Sequence, residues 1–342
     1  MCKLFIRKWW VYLKSISPLK RVCLVLPPLV LVLLLWPKFL WSLELLTQHH
    51  GTSRSLQHYM THAKILIEPS YSPCGTGPLD EVPVIIMVAS TPDRIDRRQA
   101  VRETWGKYQP TYFILGIDED NKENQLVFNH QEADHFGDII VFDFREHYQN
   151  QTLKTALMMK WTLAHCPHAQ FMLKTTDNVL VNPWMLNNVL QNNAKAQLVG
   201  YRYNNPPLSD EYFPRGLLPQ RHVSNYLCGT GYIIKGQYIE AILKKAYEIP
   251  IIIREDVFFT HLVAAKELGL TLTHDRRLNP SKPWLNIGCI FWSLAIMHSF
   301  SPEELLTAWY KIENLVVSYG TNDNVCKHFN WYFDIFRELV LQ

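Results

Sequence analysis

Val82 to Ala89 (VPVIIMVA) is an unbroken apolar run. It is too short to cross a bilayer, and it shows neither the alternation of a half-exposed strand nor the spacing of a surface helix, so it reads as a strand buried on both faces. Such strands belong to sheets covered by helices on either side. Asp93 to Trp105 follows at helical spacing. The same alternation continues with Tyr112 to Leu115 and Ile139 to Phe142 as strands, Thr152 to Ala164 as a helix, and Phe171 to Leu173 as another short strand. This is the pattern of a parallel α/β domain. Farther on lie an irregular stretch rich in Pro and Tyr from 201 to 226, apolar Tyr232 to Ile234, a helix from Glu255 to Leu268, and apolar Ile290 to Met297. Ser301-Pro302-Glu303-Glu304 is a capping box that opens a helix over Leu305 to Ile312. There is no internal repeat, and nothing from residue 82 onward forces a second domain.

Charge divides the chain differently. The net charge is +3, yet Lys3, Arg7, Lys8, Lys14, Lys20 and Arg21 stand in the first 21 residues with no acid among them, so the remainder is net negative. A basic footprint for nucleic acid is therefore lacking. Directly after the basic tail, Val22 to Trp36 (VCLVLPPLVLVLLLW) is free of charge, extended past Pro37 and Lys38 by Phe39, Leu40 and Trp41. It reads as a short membrane span. A cleaved signal peptide is the rival reading, but no small-x-small site follows, and Trp36, Lys38 and Trp41 are interfacial anchors. The positive-inside rule then places the amino end in the cytosol and the rest across the membrane, a type II arrangement. The organisation expected is a tail (1–21), a signal anchor (22–46), a polar stem (47–81) and one lumenal domain (82–342).

In that topology Cys74, Cys166, Cys228, Cys289 and Cys326 face an oxidising compartment. Two disulfides and one thiol are expected, with the pairing open. Zinc is disfavoured, since no CxxC occurs and the closest two of the five are 37 residues apart. Asn150-Gln151-Thr152 is a glycosylation sequon.

Four segments stand just past apolar runs, where an α/β sheet presents its ligands. In Ser90 to Gly106 (STPDRIDRRQAVRETWG), Arg94, Arg97, Arg98 and Arg102 suit a phosphate, or else form a solvated helix face paired with Asp93, Asp96 and Glu103. In Lys174 to Asn182 (KTTDNVLVN), Asp177 suits a cation that holds a diphosphate, or a plain turn. Gly229 and Gly231 in Tyr226 to Tyr232 (YLCGTGY) allow close backbone approach to a ligand, or a bulge. Glu255 and Asp256 precede an apolar helix, where carboxylates also serve as caps. Trp105 and Trp161 read as core.

The ordered set RRQAVRETWG, FMLKTTDNVLVN, NYLCGTGYII, EDVFF and MHSFSPEELLTAW resembles the β-1,3-galactosyltransferase and N-acetylglucosaminyltransferase family of Golgi type II enzymes, glycosyltransferase family 31, over residues 82 to 312. The resemblance implies a GT-A fold, a Rossmann-like nucleotide-sugar domain. It implies an inverting transfer of a hexose from a UDP-sugar, UDP-galactose first and UDP-N-acetylglucosamine second, in β-1,3 linkage to a glycan acceptor on a glycoprotein or glycolipid. Asp256 matches the family's base, with Glu255 shaping its surroundings. Arg97, Arg98, Arg102, Lys174, Asp177, Gly229 and Gly231 fall on the donor side. Mn²⁺ would be held by Asp177, Asn178 and His298. The chain departs from the family where an aspartate triplet reads Thr176-Asp177-Asn178, because an amide offers a cation no charge. This puts metal dependence in question and admits a catalytically silent paralogue. A second departure is Leu262 in place of a cysteine, which leaves Cys289 to pair with Cys326 or to be the odd thiol. The segment from Tyr201 to Asn225 is expected to frame the acceptor.

Overall fold

A computed structural model describes residues 55–70, 74, 82–117, 122–204, 224–320 and 326, all within the unit Arg54–Gln342. The tail, the anchor, most of the stem and most of the segment expected to frame the acceptor lie outside the described residues. Among the described residues no helix is long and apolar enough to cross a membrane.

The elements run α1 (Leu56–His62), β1 (Ile65–Ile67), β2 (Val84–Ala89), α2 (Ile95–Glu103), β3 (Thr111–Ile117), α3 (Lys122–Phe136), β4 (Ile139–Arg145), α4 (Gln151–His165), β5 (Phe171–Thr176), β6 (Val179–Val181), α5 (Pro183–Asn192), β7 (Leu198–Asn204), β8 (Asn225–Lys235), α6 (Gly236–Ala246), a π-helix (Val257–Glu267), β9 (Leu272–His274), α7 (Gly288–Ser293), β10 (Ile296–His298) and α8 (Pro302–Tyr319). Eight strands form one sheet in the order β1-β4-β3-β2-β5-β8-β7-β9, and β6 pairs with β10 in a small second sheet.

All six residues of β2 are buried, as its unbroken apolar run requires. Ile85, Met87 and Ala89 face one core, which holds Leu157 and Met158 of α4 and Phe258 of the π-helix. Val84, Ile86 and Val88 face the other, with Trp105, Leu186 and Trp309. The sheet is thus the middle of three layers. Trp105 and Trp161 are core residues, 1 % and 2 % exposed.

The expectation of a parallel sheet holds for β4, β3, β2 and β5 and for β7 with β9, and fails at β1, antiparallel to β4, and at β8, antiparallel to both β5 and β7. The sequence showed only the tip of β8, because Cys-Gly-Thr-Gly looks like a turn. The glycines belong to the strand for a packing reason. A methyl group on Gly229 would come within 2.9 Å of Glu255 Oε1, and one on Gly231 within 2.7 Å of Ile296. The apolar stretch 290 to 297 likewise divides into α7 and β10. The capping box stands as expected, with Ser301 Oγ accepting from Glu304 N and Glu304 accepting from Ser301 N. Cys74 pairs with Cys166 and Cys289 with Cys326, which leaves Cys228 as the buried thiol.

Candidate active site

The parallel register sets Ala89 beside Thr176, so the loops leaving β2 and β5 emerge together. Residues 87 positions apart in sequence meet there: Ser90 Oγ donates to Asp177 Oδ2 at 2.8 Å. Pairing of β6 with β10 sets His298 opposite Val179, next to Asn178. Around this edge opens a cavity of about 610 Å³, lined among others by Ser90, Arg94, Glu146, Lys154, Asn178 and His298.

Lys154 and Glu146 were missed by sequence reading. The Lys154 ammonium, carried on the apolar helix α4, is buried, and it donates to both carboxylate oxygens of Glu146 and to Ser90 O, each at 2.7 Å. Burial pushes its pKa down, against the pull of Glu146. The available signal was a lysine set in the apolar face LKTALMM, which has to bring its own counter-charge to be buried.

The four arginines at the cap of α2 and along it divide. Arg98 is 1 % exposed; its guanidinium donates to both oxygens of Glu132 at 2.7 Å and to Thr91 O at 2.6 Å. Arg102 joins Glu132 at 2.8 Å and Asp138 at 2.7 and 2.8 Å, and its guanidinium lies 3.8 Å from the Phe136 ring centroid. These two arginines, expected on the donor side, tie α2 to α3 and to the start of β4 instead of facing the cavity, because only the acids of α3 and Asp138 can compensate their buried charge. Arg94 does line the cavity. Arg97 is half-buried and close enough to His298 to act on its titration.

A second cluster forms behind β5 and β8. Lys174 Nζ donates to Gly229 O at 2.8 Å and to Glu255 Oε1 at 2.5 Å. Tyr232 Oη donates to Glu255 Oε2 at 2.9 Å. Burial raises the Glu255 pKa beyond what the ion pair with Lys174 takes back, and the adjacent Asp256 adds to the rise. Asp256 Oδ1 accepts from Val257 N at 2.9 Å and Arg254 Nε at 3.1 Å, and Oδ2 from Arg254 Nη2 at 2.9 Å; that contact holds the Arg254 pKa up. Asp256 is 7 % exposed. The helix expected from Glu255 starts there, with Glu255 and Asp256 helical, and from Val257 it takes the wider π form. There Thr260 Oγ1 donates to Asp256 O at 2.6 Å and accepts from Leu227 N at 3.0 Å, clamping this corner to β8. Lys174, Gly229, Glu255 and Asp256 are therefore brought together, and Gly231 packs on β10. None of these lines the described cavity, which of the expected residues holds Asn178 and His298.

The residues expected to hold Mn²⁺ do not fit it. The ion wants anionic oxygens, but the Asp177 carboxylate is fully buried and is taken by Ser90 and, at 3.4 Å, by Arg94. The Asn178 amide oxygen accepts from Thr176 Oγ1 at 2.7 Å. His298 Nδ1 shares a 2.7 Å hydrogen bond with Ser299 Oγ; burial, Lys174 and Arg97 together lower the ring's pKa. Among the described residues no group of three or more His, Cys, Asp or Glu is disposed to hold a metal. At the sequon, Asn150 Nδ2 donates to Arg145 O at 2.8 Å, and Thr152 is buried with its hydroxyl on Ile252 O.

The profile of the galactosyltransferase family matches residues 96–276. Beta-1,3-galactosyltransferase 1 of Mus musculus, like that of Homo sapiens, is 32 % identical over 241 residues, covering 66 % of this chain and 72 % of the relative. UDP-GalNAc:beta-1,3-N-acetylgalactosaminyltransferase 1 of Mus musculus is 29 % identical over 248 residues, covering 66 % and 73 %. Among solved structures, a glycosyltransferase involved in glycosylation of the major capsid of PBCV-1 aligns with 66 % of this chain and 98 % of its own, at 10 % identity and a TM-score of 0.38.

Proposed function

The chain belongs to the galactosyltransferase family and is a glycosyltransferase, and from that premise we propose that it transfers galactose from UDP-galactose, with inversion, to the 3-hydroxyl of an acceptor sugar on a glycan. The supporting observation is the meeting of motifs some 80 residues apart: Lys174 grips both the Gly229 carbonyl and Glu255, and the absent side chain at Gly229 leaves room for the Glu255 and Asp256 carboxylates. In this reading the domain is of GT-A type. Asp256 accepts the acceptor's hydroxyl proton while that oxygen attacks the anomeric carbon, and UDP departs on the opposite face. The incoming hydroxyl takes the place of one Arg254 bond on the carboxylate. Arg254 then orients the carboxylate through its other contact. Glu255, held by Lys174 and Tyr232, fixes the corner. No step is assigned to Mn²⁺, given the donor set.

The same reading carries a retained amino-terminal anchor, a lumenal catalytic domain and residence in the Golgi membrane, with a glycan on Asn150. Protease protection of the carboxyl terminus in sealed vesicles tests the orientation.

The catalytic test uses the purified full chain with UDP-galactose and a panel of acceptor sugars, following UDP release and product linkage. Asp256→Asn is expected to lower turnover by about 10²–10⁴-fold while leaving thermal unfolding near that of the parent. UDP-N-acetylglucosamine is the second donor on the panel. Absence of turnover and of nucleotide-sugar binding with every donor would overturn the proposal in favour of a silent paralogue, the reading that Asn178 in the aspartate triplet favours.

A further inference from the structure

We propose that the donor's diphosphate is held directly by cationic side chains of this chain, Arg94 and Arg97 foremost, and not through a divalent cation. The inference rests on the UDP-sugar reading above and specifies how that ligand is bound. At the turn between β5 and β6 the only carboxylate is Asp177. Its side chain is fully buried, with Ser90 on one oxygen and Arg94 on the other. A cation thus already stands on this acid, and 45 % of the Arg94 side chain remains exposed at the cavity. The next position, Asn178, lines the cavity with a neutral amide whose oxygen is occupied by Thr176.

Arg97 stands one helical turn on from Arg94, half-buried at the start of α2. Lys174 is committed to Gly229 O and Glu255, whereas the Arg97 guanidinium makes no hydrogen bond or ion pair with any described residue. Arginine is suited to this use, as its planar fork meets phosphate oxygens two at a time and its charge does not titrate.

The test is calorimetric titration of the full chain with UDP, once in excess EDTA and once in excess MnCl₂. Equal affinity in the two buffers is expected. Arg94→Ala and Arg97→Ala should each weaken UDP binding about tenfold in EDTA, the scale of one charge-assisted hydrogen bond, with Arg97→Lys recovering part of the loss and attesting to the fold. Asn178→Asp should bind UDP more weakly in EDTA and regain affinity in MnCl₂. The proposal is overturned by UDP binding that requires Mn²⁺, or by metal-free binding that neither arginine substitution weakens. The first of these outcomes leaves the UDP-sugar reading intact. Failure to bind UDP in both buffers, with the chain folded, would remove that reading and this one together.

Discussion

Two buried ion pairs on opposite halves of the sheet behave oppositely. Glu132, between Arg98 and Arg102, has a lowered pKa: burial alone would raise it, and two guanidinium groups more than compensate. Glu255 has one lysine and a second carboxylate beside it, and its pKa is raised by burial. Both acids are nearly inaccessible. The difference lies in what each glutamate itself touches: Glu132 accepts from two guanidinium groups, Glu255 from one ammonium and one phenol with a second carboxylate beside it. Arg98, together with Arg102 that Glu132 shares with Asp138, makes a brace between α2 and α3. At the other site each acid has its own cation, Lys174 on Glu255 and Arg254 on Asp256, and the neighbouring carboxylate adds to the cost of a charge on Glu255.

The largest expected effect breaks the brace. Glu132→Gln leaves Arg98 buried without its carboxylate and should cost about 3–5 kcal/mol, read by urea unfolding; a loss under about 1 kcal/mol would mean the pair is no brace. A smaller effect tests the opposed titrations. The lowered pKa of Glu132 contributes stability that is present above its unfolded value and lost as pH falls through its folded value. The raised pKa of Glu255 contributes stability that is present below its unfolded value and lost as pH rises through its folded value. Unfolding free energies measured across acid to neutral pH should therefore diverge. The advantage of the parent over Glu132→Gln shrinks towards acid, and its advantage over Glu255→Gln shrinks towards neutrality, each by an amount on the order of 1 kcal/mol. Like slopes would erase the distinction. The smallest effect is at Gly231→Ala, where the added methyl meets the tip of the Ile296 side chain. It should cost about 1 kcal/mol in unfolding and leave turnover unchanged, unlike a methyl at Gly229, which would press on Glu255 and Asp256.

Much of the fold was legible because local chemistry was unambiguous. The run at β2 has one burial solution, and Ser301 with Glu304 has one capping geometry. The arginines were not legible. Arg94, Arg97, Arg98 and Arg102 are alike as residues on a helix, and which of them finds an acid depends on α3, more than twenty residues away. The strand through Cys228-Gly229-Thr230-Gly231 was hidden because a glycine that makes room looks, in sequence, like a glycine that turns. Lys154 was overlooked because its counter-charge, Glu146, arrives from the loop after another strand.

Periodicity and apolar runs are local, so the chain alone determined that strands and helices alternate, that β2 lies between two apolar layers, and where Glu255 and Asp256 open a helix. The partner of each charge is a long-range property. Only the folded sheet decided that Asp177 would be closed off by Ser90 and Arg94, that Arg98 would be structural, and that Glu255 would meet Lys174 and Tyr232, because the free energy of a buried charge is set by what the tertiary structure brings within a few ångströms of it.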